Sequence, residues 1–356
     1  MKLSDIQPTR LLTLAALLFA AATPMHAQAA PDTSADRPVA LDPFVITAER
    51  EAGNFLLGQD EIARTNAVDL AQLFANQSTL AVGGGAPQAQ KIYVRGFEDV
   101  LLNVTLDGAP QAGELYHHQG RLQLEPDFIK SIQLDAGAGA ATAGAGALTG
   151  ALAVTTKDAF DLLVPGQRFG LSTRATYAAN GDNSWRGTAS LYGKLSDQTG
   201  LVVGYSRQSG DDYEDGNGHI VIPTAFDHTR GYAKLNGRFG AHEASLAYER
   251  VHDTGTYYER PNFVNFTGTY ILSDHDLNRE TLTYNHRFNP DDDRVDARAT
   301  VYWTANDFLN RRNTTKALYG QGDFTSYGFD LRNTTTWERH AATYGVEFRH
   351  DDAFGR

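Results

Sequence analysis

From Arg168 onward, apolar and polar residues alternate one by one over long stretches, the two-residue period of a β-strand with two unlike faces. In Arg168 to Tyr177, Phe169, Leu171, Thr173, Ala175 and Tyr177 share one face, and Gly170, Ser172, Arg174 and Thr176 the other. Trp185 to Leu195 repeats the pattern, as do 200–209, 230–239, 241–252, 278–288, 293–305, 325–337 and 340–350, so nine strands are predicted. The links at 197–199, 239–241, 289–293 and 338–340 are tight, whereas those at 210–229, 253–277 and 306–324 are long and polar or aromatic. Short turns on one side and long loops on the other predict an antiparallel transmembrane barrel, its apolar faces toward lipid and its polar faces toward the lumen.

The chain before Arg168 has other patterns. Residues 61–165 predict a small α/β domain. Asn66 to Phe74 carries apolar residues at helical spacing, with Asn66 or Thr65 as its cap. Short strands are predicted at Lys91–Arg95, Asn103–Leu106, Ser131–Leu134 and Ala151–Thr156, separated by Gly, Pro or Asp. Residues 30–60 read as an extended polar tail, broken by the apolar island Phe44-Val45-Ile46-Thr47. Residues 1–29 have the basic, apolar and small-residue regions of a secretory signal peptide: Lys2 and Arg10, then Leu11 to Ala22, then Ala27-Gln28-Ala29.

Composition narrows the chemistry. The chain has 356 residues, a formal net charge of -12 and no cysteine. The acidic balance argues against a nucleic-acid partner. The missing thiols exclude disulfides, thiolate metal centres and cysteine nucleophiles. Neither a Gly-x-Ser-x-Gly elbow nor a His-Glu-x-x-His motif occurs, so no catalytic residue and no enzymatic activity is expected. No intrinsic cofactor is indicated.

Size then links the two regions. A closed nine-stranded barrel is roughly 18 Å across, while a hundred-residue domain exceeds about 30 Å and cannot enter it. A 22-stranded barrel is about 44 Å wide, the strand number associated with a plugged lumen. Such a barrel needs roughly 460 residues at the spacing seen here, more than twice the length of chain after Gln167. The expectation is therefore an incomplete 22-stranded barrel over 166–356, in the N-terminal portion of a longer protein.

Four stretches of the α/β region resemble the plug of the TonB-dependent outer-membrane receptors. They are Asp69-Leu70-Ala71-Gln72-Leu73-Phe74, Ile92-Tyr93-Val94-Arg95-Gly96-Phe97, Leu106-Asp107-Gly108-Ala109-Pro110 and Glu125-Pro126-Asp127-Phe128-Ile129-Lys130-Ser131-Ile132-Gln133-Leu134. Thr155-Thr156-Lys157-Asp158-Ala159 is similar to the plug exit, and its continuation to Leu163 resembles the haem-uptake branch. The chain departs from the family at Ala136-Gly137-Ala138-Gly139 and Ala143-Gly144, where many members have Gly-Pro and an aromatic-Gly pair.

The resemblance implies a receptor in the outer membrane of a Gram-negative bacterium, surrounded by outer-membrane lipid. Its expected cargo is a small iron complex, a siderophore or haem, with TonB and its inner-membrane energising complex as partner. Cobalamin, another metal chelate or an oligosaccharide is the alternative cargo, and a non-transporting truncated binding protein the alternative role. Asp42, Pro43, Phe44, Val45, Ile46, Thr47 and Ala48 resemble a TonB box, an extended segment able to add as a strand to a partner's sheet edge.

Tyr116, His117, His118 and Gln119 are candidate ligand contacts on a plug loop, because imidazole ligates iron and a phenol ring stacks on flat ligands. Tyr257, Tyr258 and Phe263 are further candidates, in an aromatic loop. Arg95, Glu98, Asp107 and Arg121 are candidate ion pairs between plug and wall. The acidic run Asp211 to Gly218 lacks the calcium-loop register and reads as a solvated loop. The Gly137 to Gly150 stretch misses the nucleotide-binding spacings.

Overall fold

The computed structural model describes residues 54–84, 87–111, 118–137, 141–179, 183–262, 268 and 270–356. Strands β1 (Phe55–Gly58), β5 (Asn103–Leu106), β6 (Ala109–Pro110), β7 (Ile129–Ala136) and β8 (Gly150–Thr156) form a mixed sheet in the order β1-β7-β8-β5-β6. Strands β2 (Leu80–Gly83), β3 (Lys91–Val94) and β4 (Phe97–Glu98) form a small second sheet. Helices α1 (Gln59–Thr65) and α2 (Leu70–Leu73) complete an apolar core that includes Leu57, Ile62, Phe74, Ile92, Val104, Ile132, Leu134 and Leu152.

Two local expectations change. Asn66 adopts the left-handed conformation at the C-terminal end of α1, and Asp69, not Asn66 or Thr65, caps α2 by accepting from the Gln72 amide at 2.8 Å. A left-handed φ of 47° suits the short amide of Asn at a helix end and is incompatible with starting a helix there. The tail assigned to 30–60 also yields its last residues to the core. Phe55 and Leu57 are buried in β1, whose alternation is too short to register beside so polar a neighbourhood.

Beyond the short helix α3 (Ala159–Leu162), the chain enters one antiparallel sheet of nine strands in sequence order. These are β9 (Phe169–Ala178), β10 (Ser184–Lys194), β11 (Thr199–Gly210), β12 (Phe226–Phe239), β13 (His242–Tyr258), β14 (Leu272–Phe288), β15 (Asp296–Arg312), β16 (Leu318–Trp337) and β17 (His340–Gly355). No helix among the described residues is long and apolar enough to cross a membrane.

The strands run past their expected ends on the long-loop side. β13 to β15 have 17 residues each and β16 has 20, so the link expected at 306–324 shrinks to a turn at 313–317. Between β14 and β15 the added residues pair in register but include polar side chains on both faces, as at Asp274, Asp276, Asn310 and Arg311, and the pairing of β15 with β16 shifts register between Asn310 and Arg311. Period-two hydrophobicity disappears there although backbone pairing continues.

The faces are inverted relative to a soluble sheet. Leu191, Val203, Leu235, Leu246, Leu282 and Val301 lie exposed on the outside, while Arg186, Thr188, Ser190, Ser206, Gln208, His228, Arg230 and Lys234 are buried inside. An apolar outer band with a polar lumen suits a wall solvated by lipid.

Candidate functional site

The plug packs on the inner face of this wall, and the seam is built from paired charges and main-chain acceptors. At the short-turn side, Asp107 sits in the tight turn between β5 and β6, and its carboxylate accepts from the Thr156 amide at 3.0 Å and from Lys234 Nζ at 3.1 Å. Asn285 donates to the Asp107 carbonyl at 2.8 Å. The Tyr232 hydroxyl donates to Thr156 Oγ1 at 3.0 Å, and its ring stacks on Phe128 with centroids 5.4 Å apart. Gly204 makes that approach possible, since a Cβ there would lie 2.6 Å from the Phe128 ring.

One layer further along, Glu125 of the plug lies 3.6 Å from Arg186 of β10, with both side chains 1% exposed. Ser206 donates to Glu125, while Arg186 donates to the Ala67 carbonyl at 2.6 Å. Arg279 donates to the Arg121 carbonyl at 2.6 Å, and Gln208 to the Val68 carbonyl at 2.9 Å. Arg174 pairs with Asp127 at 3.2 Å. Every one of these plug groups meets a wall residue from the polar face of a strand.

The four charged plug candidates separate. Asp107 meets the wall through Lys234. Glu98 pairs with Lys91 of its own hairpin, because β3 and β4 bring the two strands together before the wall can intervene. Arg121 donates to plug carbonyls, those of Gln111 at 3.1 Å, Leu102 at 3.4 Å and Asp99, so it ties plug segments to one another. Arg95 occupies the β3–β4 turn with a φ of 51°. Sequence reasoning misses Glu125, Asp127 and Arg186 as seam residues. A signal for two of them exists: a carboxylate close behind Leu122 and Leu124 at Glu125, and an arginine on the lumen face of a predicted strand at Arg186.

At the long-loop side, the mouth brings together residues far apart in sequence. His118 Nδ1 lies 2.8 Å from Asn262 Oδ1, and Gln119 Nε2 lies 3.5 Å from His275 Nδ1 on β14. Tyr257 is wholly buried, with its ring edge-on to His275 at 5.3 Å. The second ring nitrogen of His275, Nε2, is buried without a hydrogen-bond partner among the described residues.

Tyr258, one residue along β13, points to the opposite face of the wall. There it meets Tyr270 edge-on at 6.3 Å and lines an outer crevice of about 520 Å³ with Ile222 and Leu272. Strand alternation therefore divides a pair of aromatics that adjacency in sequence had grouped. Asp42 to Ala48, Tyr116, His117 and Phe263 lie outside the described residues. The Asp211 to Gly218 loop is held by its own turns, with Asp215 accepting from the Asn217 and His219 amides at 2.8 and 3.0 Å.

Burial shifts the titration of two plug groups. It pushes the Lys157 ammonium below its ordinary value of 10.5, against the nearby Asp127 carboxylate. It pushes the Tyr93 phenol above its ordinary value of 10.0, aided by Glu98.

A polar-lined half-wall holding a separately cored α/β domain is the arrangement of a plug seated against part of a barrel wall, and known proteins share it. The TonB-dependent Receptor Plug Domain family matches residues 54–151. The chain is 30% identical to the heme transporter BhuA of Brucella ovis over 96% of its own length and 53% of the relative's. It is 25% identical to a hemin receptor of Yersinia pestis, over 93% of this chain and 51% of that one.

Among solved structures, the FrpB iron transporter from Neisseria meningitidis superposes with a TM-score of 0.75 at 22% identity, covering 86% of this chain and 50% of that one. The Serratia marcescens hemophore receptor HasR, solved with its hemophore HasA and heme, superposes at 0.71 with 19% identity, over 85% and 45% of the two chains. The chain thus spans about half the length of the curated relatives it matches.

Proposed function

We propose that this chain belongs to an outer-membrane receptor of a Gram-negative bacterium that takes up haem, energised through TonB. The mouth carries the reading: plug residues His118 and Gln119 are held against wall residues Asn262 and His275, with Tyr257 buried alongside. Imidazoles ligate haem iron and aromatic rings stack on the macrocycle, so plug and wall would share one ligand. The Asn262 bond to Nδ1 fixes the His118 ring, as outer partners do for ligating histidines. The relatives named as heme transporter and hemin receptor support haem over other iron complexes.

In this mechanism the wall holds the plug by directional polar contacts that a pull from the periplasm can break one by one. The segment Asp42 to Ala48 would supply the strand that TonB grips. The test is growth on haemin as sole iron source, using cells that lack other haem receptors and express the complete coding region. Growth is expected, and it should disappear when TonB is deleted or when His117 and His118 are both replaced by Ala. Growth that survives both changes would overturn the proposal. Residues 1–356 alone are expected not to support growth, since β9 and β17 each have an unpaired edge among the described residues.

A further inference from the structure

A second polar cluster lies deeper in the seam, one layer below the mouth. His228 of β12 and Asp253 of β13 are directly opposite in the ladder and face the lumen, both buried to 2% exposure. His228 Nδ1 and Asp253 Oδ1 stand 2.9 Å apart, yet both ring nitrogens of His228 and Asp253 Oδ1 lack an aligned hydrogen-bond partner. From the plug side, Gln123 Nε2 donates to Asp253 Oδ2 at 3.1 Å and leaves its own Oε1 unpartnered. Gln88, also of the plug and also buried, borders the same space. These four side chains, with Asp69 and Arg230 among the other lining residues, border a cavity of about 20 Å³, room for one water or one ion.

Two features favour an ion. A buried polar atom without a partner is costly, and this concentration of them in one place needs a guest that accepts several lone pairs at once. Charge points the same way. Asp69 and Asp253 line the cavity against the single guanidinium of Arg230, so carboxylates outnumber cations in its lining.

We propose that His228, Asp253 and the amide oxygen of Gln123, with Gln88 beside them, form a site for a divalent first-row metal ion that bridges wall and plug. Imidazole, carboxylate and amide oxygen are the donor set that such ions accept. The ion pins the plug to β12 and β13, and plug movement must release it. The site is separate from the mouth and does not depend on the nature of the cargo.

Zinc binding to the protein expressed from the complete coding region and purified in detergent tests this, by equilibrium dialysis with Co²⁺ absorption as a second readout. All samples carry His242→Ala, because His242 and His286 stand 3.0 Å apart at the opposite rim and would also chelate. One zinc ion per chain is expected. His228→Gln or Asp253→Asn should weaken it by at least ~tenfold, and His118→Ala should leave it unchanged. Gln123→Glu adds a carboxylate and should tighten binding, a gain that misfolding cannot imitate. Absence of bound zinc in the parent, or unchanged affinity in His228→Gln and Asp253→Asn, would overturn the proposal. Water would then fill the role.

Discussion

The plug and the wall solve the same burial problem in opposite senses. The plug hides Ile132, Leu134 and Leu152 in its interior, as a soluble domain does. The wall sends its apolar side chains outward, with Val203, Leu246 and Leu282 exposed and Arg186, Ser206 and Lys234 enclosed. Where the two meet, the contact is therefore mostly polar, so cohesion depends on matched hydrogen bonds and charges. Such contacts are specific while intact and weak once misaligned.

Disrupting the buried charge pair should have the largest effect. Arg186→Met leaves Glu125 enclosed without its cation and is expected to cost about 3–5 kcal/mol of plug–wall cohesion. Denaturant titration of plug release would measure it, and adding Glu125→Gln should recover much of the loss. A plug retained as firmly in Arg186→Met as in the parent would refute a seam held by polar contacts. Leu134→Ala probes the apolar interior instead. This change should destabilise the plug core by about 2–5 kcal/mol with the wall's ladder untouched, read by protease sensitivity of the plug against strand content.

On the outer face, Leu246→Arg should cost about 2–4 kcal/mol of membrane stability near the midplane, whereas a polar replacement at the inward Ala247 should be tolerated far better. Folded yields in bilayers would show a reversed order if the faces were misassigned. Asp69→Ala removes the cap of α2 and should cost about 0.5–2 kcal/mol, visible as a lower plug unfolding midpoint.

The smallest expected effect is on pH dependence. A lysine held below its free value binds fewer protons folded than unfolded, so Lys157 makes stability rise with pH up to about 10.5, from its lowered value. Tyr93 acts with the opposite sign above about 10, because its raised value makes the folded form hold the proton longer; stability then rises less steeply once the unfolded phenol would ionise. Lys157→Met in a Tyr93→Phe background should flatten the rise, measured as the urea midpoint across the alkaline range.

The strands were legible because an apolar outer face and a polar face toward the plug impose an uninterrupted period of two, as in β10 and β11. Their extensions beyond the apolar band were not, since residues such as Asp276 and Asn310 face water or polar groups on either side and carry no contrast. In the plug, β7 and β8 announced themselves by composition, while β1 was concealed by its polar surroundings. At the mouth, the loop histidine His118 could be nominated from residue type. Its partner Asn262 and the contact between Gln119 and His275 could not, because strand registry over more than 140 residues of separation brings them together.

The inverted wall is open to direct test, because the chain has no cysteine of its own. Single cysteines placed from Ser245 to Glu249 along β13, labelled and reconstituted in bilayers with a lipid-borne quencher, report which face each position occupies. The structure predicts strong quenching at 246 and 248 and weak quenching at 245, 247 and 249. Uniform quenching, or alternation of the opposite phase, would contradict it.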